Sequence, residues 1–386
     1  MSKSIIFKNF KSRTNLKEKK KLSLYLKKIK DGSGPKFFES FKKNYKYSYD
    51  NNFIQKFKKF KNINIIGMGG SSLGAKAIYS FLNKRIKKKI SFFENLILKK
   101  EKKNKGLNII ISKSGNTLET IVNLNTIFDR KDKNIFITEN KNSYLKQLAN
   151  KLKSDVIEHK NFIGGRFSVL SEVGMLPAQL MGLNESKFKK FNSLIIKKQF
   201  LNDLIKNVIC TYQYTKLKKF NSVILNYDNN SEDLFKWYQQ LVSESLGKNS
   251  KGIIPIISSM PKDNHSVLQL YLSEFKSNFY TFFMTDEKNS KTLNSKLLIN
   301  KFNFLKQKKT FDILNSQRIA TEKVFKDKKV PFRSFYIKKR NEETLGELFC
   351  FFTLEVILLS CLLKVNPLNQ PEVELVKKET FKILKD

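Results

Sequence analysis

The feature that most constrains this chain is an alternation that begins near residue 62. Short runs apolar on both faces take turns with helical stretches of about ten residues. Strands without polar alternation must be covered on both sides, and helices between them supply the cover, so the pattern predicts βαβ units around a parallel sheet. INIIG (63–67) precedes SSLGAKAIYSFL (71–82), LNIIIS (107–112) precedes TLETIVNLNTIF (117–128), NIFIT (134–138) precedes SYLKQLANKL (143–152), and DVIEH (155–159) closes the series. After a mostly helical section (169–219) the theme restarts with NSVILNY (221–227), GIIPIIS (252–258) and NFYTFFMTD (278–286). Between these lie the helical candidates EDLFKWYQQLVSESL (232–246) and HSVLQLYLS (265–273). VPFRSFYIK (330–338) alternates as a half-exposed strand, and two helices follow over 344–364 and 371–385. The expected fold class is α/β, with two α/β sandwich domains of mainly parallel sheet at 61–205 and 206–345. A helical N-terminal segment (1–60) precedes them and C-terminal helices (346–386) follow.

Composition narrows the function classes. The 386 residues carry a net charge of +41, a charge that ordinarily raises nucleic-acid or anionic-membrane binding. Here the lysines run along the whole chain in company with Asn, Ile and Phe, residues that share A/T-rich codons, and no basic domain or RNA-binding motif stands out. The charge therefore reads as coding bias on a solvated face, with no specific nucleic-acid partner. Three cysteines (Cys210, Cys350, Cys361) without a CxxC pair speak against a disulfide scaffold or zinc ribbon, and two histidines (His159, His265) against a His-rich metal site. The first residues lack a signal-type apolar core of ~7–15 residues. The longest apolar stretch (349–365) is broken by Glu355 and falls short of the ~20 residues of a membrane span, so a buried helix is expected. A cytoplasmic protein without membrane, metal or organic cofactor is the expectation.

In open parallel sheets ligands bind at the carboxyl ends of the strands, where helix N-termini present free N–H groups. Two strand-to-helix turns suit an anion there. GMGGSSLG (67–74) offers a tight glycine backbone (Gly67, Gly69, Gly70) and the hydroxyls of Ser71 and Ser72. SKSGNTLET (112–120) offers Ser112, Lys113, Ser114, Thr117 and Thr120. Either turn alone is as easily a capped helix start. A dinucleotide site is disfavoured by the glycine spacing and by KRIKKK (84–89) where an acid should stand, and a P-loop by the missing GK[ST]. Together the two turns suggest one phosphomonoester held by hydroxyls.

GMGGSSLGAKAI, SKSGNTLETIVN, FIGGRFSVLSEVGMLPAQLMG (162–182), QLVSESLGKNSKGIIPIISSMPKDNHSVLQLYL (240–272) and VNPLNQPEVELVKKE (365–379) occur in that order. From about residue 62 to 380 they resemble the phosphoglucose isomerase family, built from two sugar-isomerase (SIS) domains. The resemblance implies phosphate binding by Gly70, Ser71, Ser112, Lys113, Ser114 and Thr117, and a substrate-contacting glutamine at Gln240. It further implies a catalytic glutamate at Glu244, an arginine at Arg166, a ring-opening histidine at His265 and an assisting lysine at Lys377. It implies a homodimer in which His265 enters the partner's site, and reversible isomerisation of glucose 6-phosphate and fructose 6-phosphate.

That chemistry asks for such groups. A proton moves between C2 and C1 of an open-chain sugar through a cis-enediol(ate), and one carboxylate on that face serves both carbons. A permanently charged arginine suits the developing negative oxygen. Ring opening suits a group titrating near neutrality, hence a histidine. Outside the family context Glu244 reads as a surface ion-pair residue, His265 as an ordinary helix-start residue and Lys377 as one lysine among dozens, whereas Arg166 after two glycines reads as an anion ligand by itself. The chain departs from the family pattern at Asn116 (usually Thr), Asn264 (often a second His), Asn369 (usually Asp), and Glu372 and Val376 (commonly Gly). A dual phosphoglucose/phosphomannose isomerase and a non-catalytic SIS sugar-phosphate sensor remain open. A sensor needs the phosphate turns but has no use for the base, the histidine and the arginine.

Overall fold

The computed structural model describes residues 1–11, 15–98, 106–273 and 276–385. The chain opens with a strand, β1 (Ile5–Lys8), followed by helices α1 (Leu16–Lys30) and α2 (Asn51–Lys58). Then β2 (Asn62–Ile66), α3 (Leu73–Leu82), β3 (Lys89–Phe93), β4 (Leu107–Ile111), α4 (Leu118–Ile127), β5 (Lys133–Thr138), α5 (Tyr144–Lys151) and β6 (Asp155–Glu158) build the first half. Its sheet has the order β3-β2-β4-β5-β6, parallel throughout. Helices α6 (Glu172–Leu180), α7 (Glu185–Phe188), α8 (Phe191–Leu194) and α9 (Lys198–Lys216) fill the helical section. The second half comprises β7 (Asn221–Asn226), α10 (Glu232–Leu246), β8 (Ile254–Ser259), α11 (Leu268–Leu272), β9 (Asn278–Thr285), α12 (Thr310–Asp327) and β10 (Phe332–Ile337). Helices α13 (Glu342–Leu363) and α14 (Pro371–Ile383) end the chain. The second sheet runs β1-β10-β9-β7-β8, parallel except for β1.

The expected alternation is therefore present in both halves, and several elements differ from the sequence reading, among them α12 (Thr310–Asp327), which it did not anticipate. The N-terminal segment is not wholly helical, because Ile5–Lys8 pairs antiparallel with Ser334–Ile337 and becomes the outer strand. That pairing turns the anticipated half-exposed strand at 330–338 into an interior one. KISFF (89–93) forms an edge strand, and the expected helix over 265–273 contracts to Leu268–Leu272.

Register in the first sheet is set by polar residues on otherwise apolar strands. Asn64, Asn108 and Asn134 stand directly opposite one another on β2, β4 and β5. Asn64 Nδ2 donates to Asn108 Oδ1 at 2.9 Å, and Asn108 Nδ2 to Asn134 Oδ1 at 2.8 Å. A one-residue slip would leave buried amides unpaired, at a cost of about 1–3 kcal/mol each.

Helix α13 is the one described helix long and apolar enough to cross a membrane, and its apolar window is 94% buried inside the protein. It packs against α9, α10 and α1, so it is a core helix. Within this core lies a buried ion pair, Arg333 on β10 with Glu355 on α13. Arg333 also donates to Thr281 Oγ1 (3.0 Å) and Asn207 Oδ1 (2.8 Å), while Tyr238 of α10 donates to Glu355 Oε2 (3.1 Å). Arg333→Met should leave the Glu355 carboxylate buried without its counter-charge. Equilibrium unfolding in denaturant is expected to show a loss of about 3–5 kcal/mol, and an unchanged midpoint would show that water reaches the pair.

Candidate active site

The glycine turn after β2 has no room for side chains. At Gly69, φ is +54°, and a Cβ there would lie 2.8 Å from Gln240 Nε2. A Cβ on Gly70 would lie 2.2 Å from the carbonyl carbon of Gly165, so the GMGGSS and GGRF turns meet backbone to backbone. Ser168 stitches them, its hydroxyl lying 3.1 Å from the Gly70 carbonyl oxygen and 2.7 Å from that of Gly165.

This contact aims Arg166 into the joint between the two halves. The guanidinium is buried, with the residue 4% exposed, and it meets four acceptors. Nη1 donates to Glu244 Oε2 (2.8 Å) and Gln370 Oε1 (2.6 Å), and Nη2 to the carbonyls of Pro367 (2.6 Å) and Asn369 (3.1 Å). Burial lowers the Arg166 pKa from its ordinary value, against the opposing pull of the Glu244 carboxylate. Glu244 sits on α10, one turn after Gln240, whose Nε2 donates to Glu244 Oε1 at 2.8 Å. Both carboxylate oxygens are thus oriented by fixed donors. Arg166 Nε and Gln240 Oε1 are buried without a hydrogen-bond partner among the described residues. Lys248, just past the end of α10, donates to the carbonyls of Glu244 (2.7 Å) and Ser245 (3.0 Å). Burial and the Arg166 charge push its pKa down to about 8, against the Glu372 and Glu244 carboxylates.

The second turn follows β4, the neighbour of β2. The two turns touch, since a Cβ on Gly67 would come within 2.9 Å of the Ile111 carbonyl oxygen. Three hydroxyls gather there at the N-terminus of α4: Ser112 Oγ lies 2.8 Å from Thr117 Oγ1 and 3.5 Å from Ser114 Oγ. Ser112 Oγ also accepts from the Gly115 amide at 3.2 Å, and Gly115 has φ +69°. Ser71 is half-buried beside them on the first turn. Asn116 Oδ1 accepts from the Tyr144 amide (2.9 Å) at the start of α5.

The other expected groups stand apart. Lys113 Nζ donates to the Asn161 carbonyl (2.7 Å) and lies 3.6 Å from Glu139. His265 is exposed on the short turn after β8, an edge strand, with no hydrogen bond from its ring among the described residues. Lys377 lies on α14, exposed along its whole length, and pairs with Glu374 at 2.7 Å. The other histidine, His159, is buried behind the second turn, where burial pushes its pKa down to about 4. It is neutral near pH 7. Among the described residues no group of three or more His, Cys, Asp or Glu side chains is arranged to hold a metal. Sequence reasoning missed Gln370, which NQPEVELVK contains but periodicity does not single out. It also missed Lys248, visible in ESLGK but hidden among the lysines. The carbonyls of Pro367 and Asn369 carry no side-chain signal at all.

A family model described as phosphoglucose isomerase matches residues 50–386. The chain is 34% identical to a glucose-6-phosphate isomerase of Methanocaldococcus jannaschii, over 87% of this chain and 88% of the relative. It is 32% identical to a glucose-6-phosphate isomerase of Mycoplasmopsis pulmonis, over 83% and 82%. Among solved structures, a hypothetical protein from Thermus thermophilus superposes with a TM-score of 0.81 at 21% identity, covering 96% of this chain and 95% of that one. A Chlamydia trachomatis glucose-6-phosphate isomerase superposes with a TM-score of 0.66 at 18% identity, covering 86% and 72%; both likenesses concern the fold.

The backbone contact between the two glycine turns makes a steric prediction. Gly70→Ala should destabilise the protein by about 1–3 kcal/mol through overpacking. Gly164→Ala, whose Cβ would meet only Phe167 at an ordinary 3.4 Å, should be close to neutral. Thermal unfolding of the two variants checks this, and equal shifts would deny the contact.

Proposed function

The chain belongs to the phosphoglucose isomerase family, and from that premise we infer that it reversibly isomerises D-glucose 6-phosphate and D-fructose 6-phosphate. The observation that carries the reading is the Glu244 carboxylate, held by Arg166 and Gln240 beside the first glycine turn. A sugar-phosphate sensor would have no use for a base fixed in that place.

In this reading the phosphoryl group sits at the N-terminus of α4, with Ser112, Ser114 and Thr117 as hydroxyl ligands, Gly70 and Ser71 closing the other side, and Lys113 lending charge from nearby. Free amides and hydroxyls at a helix start favour an anion without burying a lysine against it. Anchoring the phosphate presents C1 and C2 to Glu244, which takes the proton from one carbon and returns it to the other. With four of its five N–H donors committed, Arg166 acts chiefly by fixing Glu244 and the C-terminal loop, and its charge and free Nε face the enediolate oxygen. Gln240, through Oε1, is the contact for a sugar hydroxyl. His265 opens the ring, and since its own subunit leaves it exposed, we place it in the site of a second copy in a homodimer. Lys377 is assigned as its cationic assistant only from its position in NQPEVELVK. The chemistry needs no metal or organic cofactor. The two SIS domains fall at 61–205 and 206–345, and the enzyme works in the cytoplasm, away from membranes and without a specific nucleic-acid partner.

A coupled assay with fructose 6-phosphate beside mannose 6-phosphate tests the reading; comparable turnover of both would make the enzyme dual. Glu244→Gln should lower kcat by about 10²–10⁴-fold with a similar KM, and near-wild-type turnover would unseat Glu244 as the base. Dimer sharing has its own test. His265→Ala and Glu244→Gln should each be nearly inactive alone, yet co-expressed they should recover about a quarter of wild-type activity, because half the dimers then carry one intact site of two. No recovery on mixing would mean that each subunit supplies its own histidine.

A further inference from the structure

We propose that Lys248 is a positioning residue for the isomerisation, a buried strut that fixes the last turn of α10 and with it the Glu244 carboxylate. The last carbonyls of a helix have no partner within the helix, and the end bearing a catalytic side chain is therefore its loosest part. Lys248 meets that need directly, since its Nζ donates to the carbonyls of Glu244 and Ser245 at 2.7 and 3.0 Å. A cation there also complements the negative end of the helix dipole.

The strut is itself braced. The residue is only 8% exposed, and its backbone pairs with that of Lys251 in a small antiparallel bridge. Lys251 Nζ in turn donates to the Leu363 carbonyl at 3.1 Å, at the end of α13. The loop after α10 is thereby tied to the core helix.

The kinetic half of the test rests on the isomerase reading and the exchange half does not, so the two ideas fail separately. In the full-length protein, Lys248→Met should lower kcat for fructose 6-phosphate by about tenfold with KM within about threefold. It should also speed amide hydrogen exchange over residues 243–248 while leaving exchange in α13 unchanged. Lys251→Met, which removes the brace from this loop to the Leu363 carbonyl, should act in the same direction but more weakly. Wild-type kcat and unchanged exchange in Lys248→Met would overturn the proposal. A wild-type protein inactive on fructose 6-phosphate would defeat the isomerase reading and leave the exchange result to decide the strut. If Lys248→Met does not fold, Lys251→Met alone must still speed exchange over 243–248; if it does not, the strut is refuted.

Discussion

A guanidinium buried at the joint of two α/β halves must be met on all sides, and that requirement organises the site. Leaving Arg166 without acceptors would cost several kcal/mol, so the fold has to bring oxygens to it. They come from Glu244 on α10 and from the loop 367–370, about eighty and two hundred residues away along the chain. The site is therefore complete only when both halves and the C-terminal tail have docked.

The two sheets share a strand order over four parallel strands, β3-β2-β4-β5 and β8-β7-β9-β10, but present different chemistry at their carboxyl ends. In the first, the turns after β2 and β4 carry glycines and hydroxyls. In the second, the corresponding ends of β7 and β9 carry Asp228 and Glu287, which Arg340 bridges. Its Nη2 lies 2.8 Å from both Asp228 oxygens and 3.2 Å from Glu287. Thr285 and Ser231 add hydroxyl donors to Asp228 at 2.7 and 2.5 Å. Carboxylates at that end would repel a phosphoryl dianion, and the one arginine able to attract it is already neutralised. In the proposed reading one half thus holds the phosphate, and the other, through the helix after β7, delivers the base.

The parts of this design that bury apolar surface were legible in the sequence. Continuous apolar runs marked β2, β4, β5, β7 and β9, and EDLFKWYQQLVSESL marked α10 to the residue, because helix amphipathy and a following glycine agreed there. Elements stabilised by distant pairing were not legible. β1 is four residues long and exists because β10 offers it an edge more than three hundred residues away, while β3 follows a lysine run that masks its pattern. α12 shows only a weak apolar stripe in its sequence. At the site, the hydroxyl turns and Glu244 could be read because their neighbours form motifs. Gln370 and Lys248 act through one or two hydrogen bonds each, and a single polar contact leaves no periodicity to detect.

The large positive charge also looks different once the site is drawn. The cations named at the candidate pocket are engaged locally: Arg166 with Glu244, Lys248 with two carbonyls, and Lys113 with a carbonyl and Glu139. In the proposed reading, recognition of the phosphate then falls to neutral hydroxyls and amides, whose strength depends little on salt. The remaining lysines act at longer range, through a field that decays over about 8–10 Å at physiological ionic strength. Such a field speeds the arrival of an anionic sugar without distinguishing one sugar from another. In the proposed reading, selectivity therefore comes from the hydroxyl-lined turns and the carboxylate.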